Sequence, residues 1–464
     1  MQIDVLPDDV LLEIFDFYMS VNLLYGGKTE TEAWQSLIHV CRRWRNLVFG
    51  SPRHLNLKLY CTSETPAKDR LGIWPALPLI IESTPTLSSS PDNIVTALGY
   101  SNRVCRATLA GWQLEKVLEA MHVPFPELTH LYLHPYDLTS PIIPDSFLGG
   151  STPRLQFLDL DSVSFPGLPK LLLSATHLVD LYLYGIPHSG YFSPQEIVAS
   201  LSLLSGLETF SLGFQSPRSC PQWERRSLLP PKRSTLPALT DFRFKGVTEY
   251  LEELVTRINI PQLGQMDITF FNQIDFDCPR LAQFIKCTPT LRALDEARVQ
   301  FDDSATSVTL QSRSSKFPSG YLLIDVSCRE PDWQLSSMEQ VCNSSLRPLS
   351  TVEDLYFEHR YSEIVWKNEA IENTLWLELL LPFEAVKNLY LSKEFAPGIA
   401  AALQELVAGR IAEVLPGLQN IFVEELARSG PFQEKIGQLI IARQLSDRPI
   451  TISVWDKDSN LGSR

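Results

Sequence analysis

Apolar side chains recur along the chain in the pattern hydrophobic-x-x-hydrophobic-x-hydrophobic, which is typical of a short strand buried on one side. Outside the interruption between Leu263 and Val352, neighbouring copies begin roughly 23 to 34 residues apart, and this interval leaves room for a helix after each strand. One strand–helix unit cannot bury its apolar side alone, so the units must stack. The copies are Leu128/Leu131/Leu133, Leu155/Leu158/Leu160, Leu178/Leu181/Leu183, Leu207/Phe210/Leu212, Leu239/Phe242/Phe244, Leu263/Met266/Ile268, Val352/Leu355/Phe357, Val386/Leu389/Leu391, Leu418/Ile421/Val423 and a weaker Val104/Ala107/Leu109.

This pattern predicts an α/β fold, a leucine-rich-repeat-like solenoid with parallel strands on the concave face and helices on the convex face. Helices are expected between strands at 112–121, 194–204, 247–258 and 399–414. Residues 291–351 hold only a poor copy (Leu291/Leu294) and a β-rich stretch at 321–326, so their place in the sheet stays open. A last strand is expected at Ile450/Ile452/Val454, just before Trp455.

The first sixty residues follow a different, helical pattern. Leu6-Pro7-Asp8-Asp9 is typical of a helix start, since proline fits the first helical position and acidic groups suit the first turn. Apolar residues follow at helical spacing from Val10 to Tyr18, and a second helical pattern runs from Trp34 to Val48. These helices carry more apolar surface than such a small module can bury, which favours a partner groove as its destination.

Two segments, LPDDVLLEIFDFYM and AWQSLIHVCRRWRNLVFGSPRHLNLKL, resemble an F-box. The first segment begins with Leu6-Pro7 and continues to Ile14-Phe15. The second segment contains Val40-Cys41 and Trp44-Arg45. The connection from Met19 to Glu30 is longer than is usual in the family. The resemblance implies docking to a Skp-type adaptor through Leu6, Pro7, Val10, Leu11, Ile14, Leu37, Val40, Cys41 and Trp44. The alternative is a helical cap on the repeat array.

Further segments, among them IWPALPLII, MHVPFPELTHLYL and ARQLSDRPITISVW, resemble a large group of F-box proteins from mushroom-forming fungi. The expected organisation is an F-box at 1–60, an irregular linker with the first weak repeats at 61–124, and a client-recognition solenoid at 125–464. The resemblance implies the substrate-recognition subunit of a Skp–cullin–F-box ubiquitin ligase, with an unknown protein client. The alternatives are a non-degradative interaction scaffold and, more distantly, an α/β hydrolase.

Composition and net charge narrow the classes of function that fit the sequence. The net charge of −14 argues against a general binder of nucleic acid or anionic membranes, because both require a positive field. No apolar run approaches the roughly 18 residues of a membrane span, and the start lacks the features of a secretory signal. A cytoplasmic or nuclear protein with eight reduced cysteines is therefore expected.

Motifs for catalysis or cofactor binding are not found. Gly26-Gly27-Lys28-Thr29 lacks the first glycine of a phosphate loop, since residue 22 is asparagine. His130 and His134 share a strand face but have no third metal ligand nearby. The expectation is a protein without catalytic residues, metal or cofactor, and without enzymatic activity.

The strand positions between the buried ones carry recurring aromatic side chains. Aromatic residues and arginine are the usual energetic anchors of protein interfaces. The predicted client-binding residues are Tyr132, Phe157, Tyr182, Tyr184, Arg243, Tyr356, Tyr390 and Phe422. The alternative is cross-strand aromatic stacking that only stabilises the sheet. A basic segment at 218–233 is a second candidate, for an acidic or phosphorylated client, against an ordinary solvated loop.

Overall fold

A computed structural model describes residues 6–24, 30–62, 67–83, 91–111, 114–136, 140–220, 233–273, 275–292, 294–313, 320–344, 346–359, 372–406, 413–424, 431–445 and 448–455. The chain forms two compact units, Met1–Tyr191 (unit 1) and Phe192–Arg464 (unit 2). Residues 25–29, with most of the Gly26–Thr29 motif, and most of the basic segment 218–233 lie outside the described residues.

Unit 1 begins with three helices. Helix α1 starts directly after Pro7, with Asp8 and Asp9 in its first turn as the sequence predicts. The helices of unit 1 are α1 Asp8–Leu24, α2 Glu30–Ile38, α3 Arg42–Gly50, α4 Ala67–Ile73, α5 Asp92–Leu98, α6 Glu115–Glu119 and α7 Leu168–Leu172, with 3₁₀ turns at Phe147–Gly150 and His188–Gly190.

The helical pattern from Trp34 to Val48 forms two helices, α2 and α3, separated by a short break that ends at Cys41. Cys41 takes an extended conformation (φ −159°, ψ 170°), and its Sγ accepts a hydrogen bond from the backbone N–H of Trp44 at 3.5 Å. The thiol thus caps α3, and the chain turns at Val40. Apolar periodicity continues across such a turn, so spacing alone does not show the break.

The strands of unit 1 form one parallel sheet in chain order. The segment 61–124, expected to be an irregular linker with the first weak repeats, contributes the second and third strands. The strands are β1 Leu59–Thr62, β2 Leu79–Ser83, β3 Val104–Gly111, β4 His130–Pro135, β5 Phe157–Asp161 and β6 Asp180–Ile186.

Strands β4 and β5, and β6 as far as Leu183, bury alternate side chains. Leu131, Leu158 and Leu181 lie opposite one another on β4, β5 and β6, and all three are fully buried. The intervening residues are half-buried, which defines a second side of the sheet, called here the open face. This alternation is the pattern that the repeats predict.

Unit 2 repeats the same architecture with more strands. Its helices are α8 Pro194–Leu201, α9 Thr248–Arg257, α10 Pro279–Cys287, α11 Pro331–Ser344, α12 Asn373–Leu380, α13 Ala396–Glu405 and α14 Pro431–Leu445, with 3₁₀ turns at Pro217–Ser219, Pro289–Leu291 and Arg347–Thr351. Its strands are β7 Thr209–Phe214, β8 Ser234–Thr235, β9 Asp241–Gly246, β10 Ile258–Asn259, β11 Gln265–Phe270, β12 Glu296–Phe301, β13 Ala305–Gln311, β14 Tyr321–Ser327, β15 Asp354–His359, β16 Asn388–Leu391, β17 Asn420–Val423 and β18 Thr451–Val454.

The helices lie close to the predicted positions but are shorter. Helices α8 and α9 fall within the predicted ranges 194–204 and 247–258. Helix α6 keeps only five residues of the predicted 112–121, and α13 begins earlier and ends earlier than 399–414. Helix α8 begins with a capping box, in which Ser193 and Glu196 satisfy each other's backbone N–H groups.

The region 291–351, whose place in the sheet the sequence leaves open, departs from the parallel arrangement. The order of strands in its main sheet is β7-β9-β11-β14-β13-β12-β15-β16-β17-β18. Strand β13 is antiparallel to both β12 and β14, whereas β12 is parallel to β15 and β14 is parallel to β11. The region 291–351 therefore inserts two hairpin-type pairings into an otherwise parallel sheet.

Local chemistry explains where this insertion turns. Asp302 accepts hydrogen bonds from the backbone N–H groups of Ser304 (2.7 Å) and Ala305 (2.8 Å), which forms the tight turn between β12 and β13. Gly320, directly before β14, has φ +96°, and a Cβ there would collide with the carbonyl oxygen of Thr290. A hairpin turn therefore replaces the usual helical connection between β12 and β13, and the leucine pattern fades in this region.

No helix within the described ranges is both long and apolar enough to cross a bilayer. All eight cysteines are free thiols.

We predict that Trp376→Ala lowers the free energy of unfolding by about 3–5 kcal/mol, because a large buried aromatic side chain leaves a cavity. The Trp376 ring is 1% exposed and lies 5.9 Å from Phe357 and 6.0 Å from Phe395, centroid to centroid. Urea unfolding followed by far-UV circular dichroism measures the change. Trp333, on α11 and 57% exposed, is the matched control, and Trp333→Ala should change stability by less than about 0.5 kcal/mol. Equal urea midpoints for Trp376→Ala and Trp333→Ala would contradict the burial of the Trp376 ring in the core.

Candidate functional site

The first helix carries an exposed apolar stripe. Val10, Ile14, Phe17 and Tyr18 lie at helical spacing on α1, and each exposes more than a third of its side chain. Ile14 is 46% exposed and Phe17 is 71% exposed. A stripe of this kind on a small helical module is typical of a surface that a partner covers.

The nine residues of the predicted adaptor contact divide into three groups. Leu11 and Leu37 are buried and belong to the core of the module. Leu6, Cys41 and Trp44 are half-buried. The exposed members are Pro7, Val10, Ile14 and Val40. Phe17 and Tyr18, which the sequence analysis did not select, extend the exposed set along the same helix and follow the same spacing.

Contacts between α1 and α3 hold this stripe in place. The Phe15 ring is fully buried and lies 4.6 Å from the Trp44 ring, centroid to centroid. Arg43 donates to the carboxylate of Asp8 at 2.6 Å and to the carbonyl oxygen of Leu6 at 2.6 Å. Trp44 therefore acts at least partly as packing inside the module, and the exposed residues of α1 form its outer surface.

The open face of unit 1 gathers most of the predicted aromatic client residues. In register, His130 lies opposite Phe157, Tyr132 opposite Asp159, and Asp159 opposite Tyr182. Tyr184 lies opposite Asp161 one row further along. We call these side chains, with His134 and Tyr136, the unit 1 cluster.

Rings of the unit 1 cluster contact one another within and across strands. Phe157 and Tyr182 are 5.6 Å apart, and Tyr182 and Tyr184 are 6.0 Å apart, centroid to centroid. His130 stacks on Phe157 at 5.9 Å, and His134 on Tyr132 at 6.1 Å. The rings remain half-buried, so their faces and edges are partly available from solvent.

Two carboxylates lie among these rings. Burial and the neighbouring Asp161 raise the pKa of Asp159 to about 6, and the ring of His134 offsets only part of this effect. His134 Nδ1 lies 2.7 Å from the carboxylate of Asp161, while Oδ1 of Asp159 has no hydrogen-bond partner among the described residues. Burial, Asp159 and Asp161 also raise the pKa of Tyr132.

The aromatic residues of unit 2 form a different, closed arrangement. Tyr356, Tyr390 and Phe422 lie opposite one another on β15, β16 and β17, with parallel rings 4.1 Å and 4.6 Å apart, centroid to centroid. The Arg298 guanidinium lies 4.1 Å from the centre of the Tyr356 ring. Trp455 contacts the Tyr356 ring edge-on at 5.7 Å. We call Arg298, Tyr356, Tyr390 and Phe422 the unit 2 stack.

A row of hydrogen-bonded polar side chains runs beside the unit 2 stack. Asn388 donates to Asp354 at 2.7 Å, Asn420 donates to Asn388 at 2.7 Å, and Thr451 donates to Asn420 at 2.5 Å. Arg313 forms an ion pair with Asp354. These four side chains belong to the first residues of β15, β16, β17 and β18, so they form a polar ladder across the four strands.

Internal pairing already occupies much of the unit 2 face. Arg298 bonds the carboxylates of Glu296 (2.7 Å) and Glu358 (2.6 Å), and Tyr356 is only 5% exposed. Arg243, further along the sheet, pairs with Asp241 at 2.8 Å. Tyr356 and Arg243 are therefore less available to a partner than the rings of unit 1, although their client role stays a prediction.

Sequence reasoning did not select four of the residues that build these sites. Asp159 and Asp161 are on the open face, but the search for interface anchors favoured aromatic side chains. Arg298 falls in the irregular region, where no repeat marked its strand. Trp455 follows the last predicted strand directly, and an isolated tryptophan after a strand gives no indication of what it covers.

Comparisons with known proteins do not identify a family. No protein-family model matches the chain, and no curated protein matches it in sequence. Among solved structures, the chain is similar to the leucine-rich repeat-containing protein LegL7 from Legionella pneumophila, with 11% identity and a TM-score of 0.27 over 82% of this chain and 97% of that chain. A similarity this low carries no argument, so fold and function rest on the geometry above.

We predict that Asp159→Asn stabilises the protein above about pH 6 and has little effect near pH 4. The folded-state pKa of Asp159 is raised from 3.8 to about 6, so ionising it costs folding free energy as the pH rises through this window. Asparagine removes that cost, because it carries no charge. Thermal unfolding at several pH values, with Asp180→Asn on the neighbouring strand as control, measures the difference. A destabilised Asp159→Asn protein at pH 8 would contradict it.

Proposed function

We propose that the protein is the substrate-recognition subunit of a Skp–cullin–F-box ubiquitin ligase. Helices α1 to α3 would dock to a Skp-type adaptor, and through it to a cullin, while the open face of the sheet binds a protein client. The protein would form and break no bonds itself, and would act by holding the client near the ubiquitin-loaded enzyme.

The observation that carries this proposal is the exposed apolar stripe on α1. The F-box resemblance selected Pro7, Val10, Ile14 and Val40 as adaptor contacts. These four are exposed, as are Phe17 and Tyr18 on the first helix. Apolar surface of this kind is costly to leave in water, and an adaptor groove would cover it.

A second candidate function is an interaction scaffold that binds the adaptor or another partner without ubiquitination. The unit 2 stack favours this scaffold function, because many charged and hydrogen-bonding side chains on that face are already paired within the protein, as in a structural array. Co-purification of the full chain separates the two: adaptor with cullin supports a ligase subunit, and adaptor alone supports a scaffold.

We predict that Ile14→Asp weakens binding of a purified Skp-type adaptor by roughly tenfold or more, because burying an unpaired carboxylate in an apolar interface is unfavourable. The matched control is Ile73→Asp, since Ile73 is also an exposed isoleucine of unit 1, 70% exposed, but lies on α4. Calorimetric titration measures both affinities. Equal affinities for the two variants, or no adaptor binding by the unaltered chain, would remove the adaptor from the proposal.

We also predict that Tyr182→Ala with Tyr184→Ala reduces capture of client proteins while adaptor binding stays unchanged. The two rings lie on the open face of β6, a strand that is remote in sequence from α1. Affinity capture with ligase activity blocked, followed by quantitative mass spectrometry, compares the variant with the unaltered chain. Unchanged capture by a folded variant would show that the rings serve the sheet alone.

A further inference from the structure

We propose that the open face of unit 1 binds an arginine side chain of the protein client. The guanidinium would stack between the rings of Tyr132 and Tyr182, against the carboxylate of Asp159. This inference rests on the proposed client-binding role of the face and adds the chemistry of the partner that it recognises.

The row across β4, β5 and β6 has a short side chain at its centre, and we call the space between the two flanking tyrosines the gap. Tyr132, Asp159 and Tyr182 lie opposite one another, with the short aspartate between two long side chains. Neighbouring strands are about 4.8 Å apart, so the two tyrosines rise from backbones roughly 9.6 Å apart. A planar group in contact with a ring on each side needs about 7–8 Å. The gap therefore suits one flat group.

Charge selects which flat group fits. Asp159 and Asp161 are two residues apart on the same side of β5, and His134 is already engaged by Asp161. The carboxylate of Asp159 leaves its Oδ1 without a hydrogen-bond partner among the described residues. A cation entering the gap would offset this charge and meet two electron-rich ring faces. An acidic or phosphorylated group would be repelled.

Arginine meets these conditions better than lysine. Its guanidinium is planar, stacks on aromatic faces and donates two parallel hydrogen bonds to a carboxylate, whereas the lysine ammonium is compact and strongly hydrated. The gap between the two rings, with a carboxylate at its base, therefore suits the guanidinium of arginine better than the ammonium of lysine.

The same chain contains an arginine held in a related way, against one tyrosine ring and two carboxylates. In the unit 2 stack, the Arg298 guanidinium lies 4.1 Å from the Tyr356 ring centre and bonds the carboxylates of Glu296 and Glu358. Unit 1 has the tyrosines and the carboxylates, while the row across β4, β5 and β6 has no arginine. An arginine from a partner would complete it.

The test uses full-length protein and the peptide acetyl-Gly-Ser-Gly-Arg-Gly-Ser-Gly-amide. Three companion peptides replace arginine with citrulline, lysine or glutamate. Citrulline keeps the shape of arginine and removes its charge. Ligand-observed NMR titration at low salt gives the relative affinities. We expect the arginine peptide to bind roughly fivefold or more tightly than the citrulline and lysine peptides, and the glutamate peptide to bind least.

Two near-isosteric variants locate the binding. Asp159→Asn should weaken binding of the arginine peptide roughly fivefold or more. Asp180→Asn, which removes a carboxylate from the adjacent strand, should change the affinity by less than about twofold. Tyr132→Leu should reduce the preference for arginine over lysine, with circular dichroism confirming that the variant is folded. Equal binding of arginine and citrulline, equal binding of arginine and lysine, or equal effects of the two aspartate variants would each overturn the proposal.

The result of the peptide experiment does not depend on whether the protein binds an adaptor. Peptide binding reads out the open face of unit 1, and adaptor titration reads out α1. Loss of the arginine preference with intact adaptor binding would refute only the inference on arginine. Absence of adaptor binding with the arginine preference intact would refute only the role in a ligase.

Discussion

The fold depends on the burial of one side of every strand against its helices. Leu131, Leu158 and Leu181 illustrate it, since each is fully buried and lies directly opposite the next across the sheet. No single strand–helix unit could bury such a residue without its neighbours. The buried side therefore fixes register, because a shift of one residue would bring polar side chains into the core.

The same constraint leaves the other side of the sheet open to vary. Side chains there do not have to be apolar for the unit to stack, so they can carry rings, carboxylates or amides. In unit 2 they form a closed network of stacked rings and a polar ladder. In unit 1 they form a less satisfied surface, with half-buried rings around Asp159.

The strands were predictable because their signal is this burial, and each copy of the repeat from Leu128 to Val423 falls on or directly before a strand. The place of 291–351 was not, because the hairpin turn at Asp302 and the backbone angle of Gly320 depend on local hydrogen bonds and close contacts and leave no repeat. The break between α2 and α3 leaves no mark in the sequence pattern for a related reason: a cysteine cap interrupts the helix without interrupting its apolar spacing. Among site residues, aromatic positions on the open face were predictable from alternation, whereas their exposure was not. Tyr356 and Tyr182 occupy equivalent places in the pattern, and only packing shows that Trp455 covers the first.

Asp354 in unit 2 and Asp159 in unit 1 differ in how their charge is balanced. Asp354 is fully buried, and burial and the neighbouring Glu296 raise its pKa, but the amide of Asn388 and the guanidinium of Arg313 counter them. For Asp159, Asp161 adds to the effect of burial, and His134 counters only part of it. Ionising Asp159 therefore costs folding free energy as the pH rises toward about 6. The arginine that we propose as the ligand of unit 1 would relieve this repulsion as well as adding its own contacts, so the proposed recognition and the electrostatic cost would have the same origin.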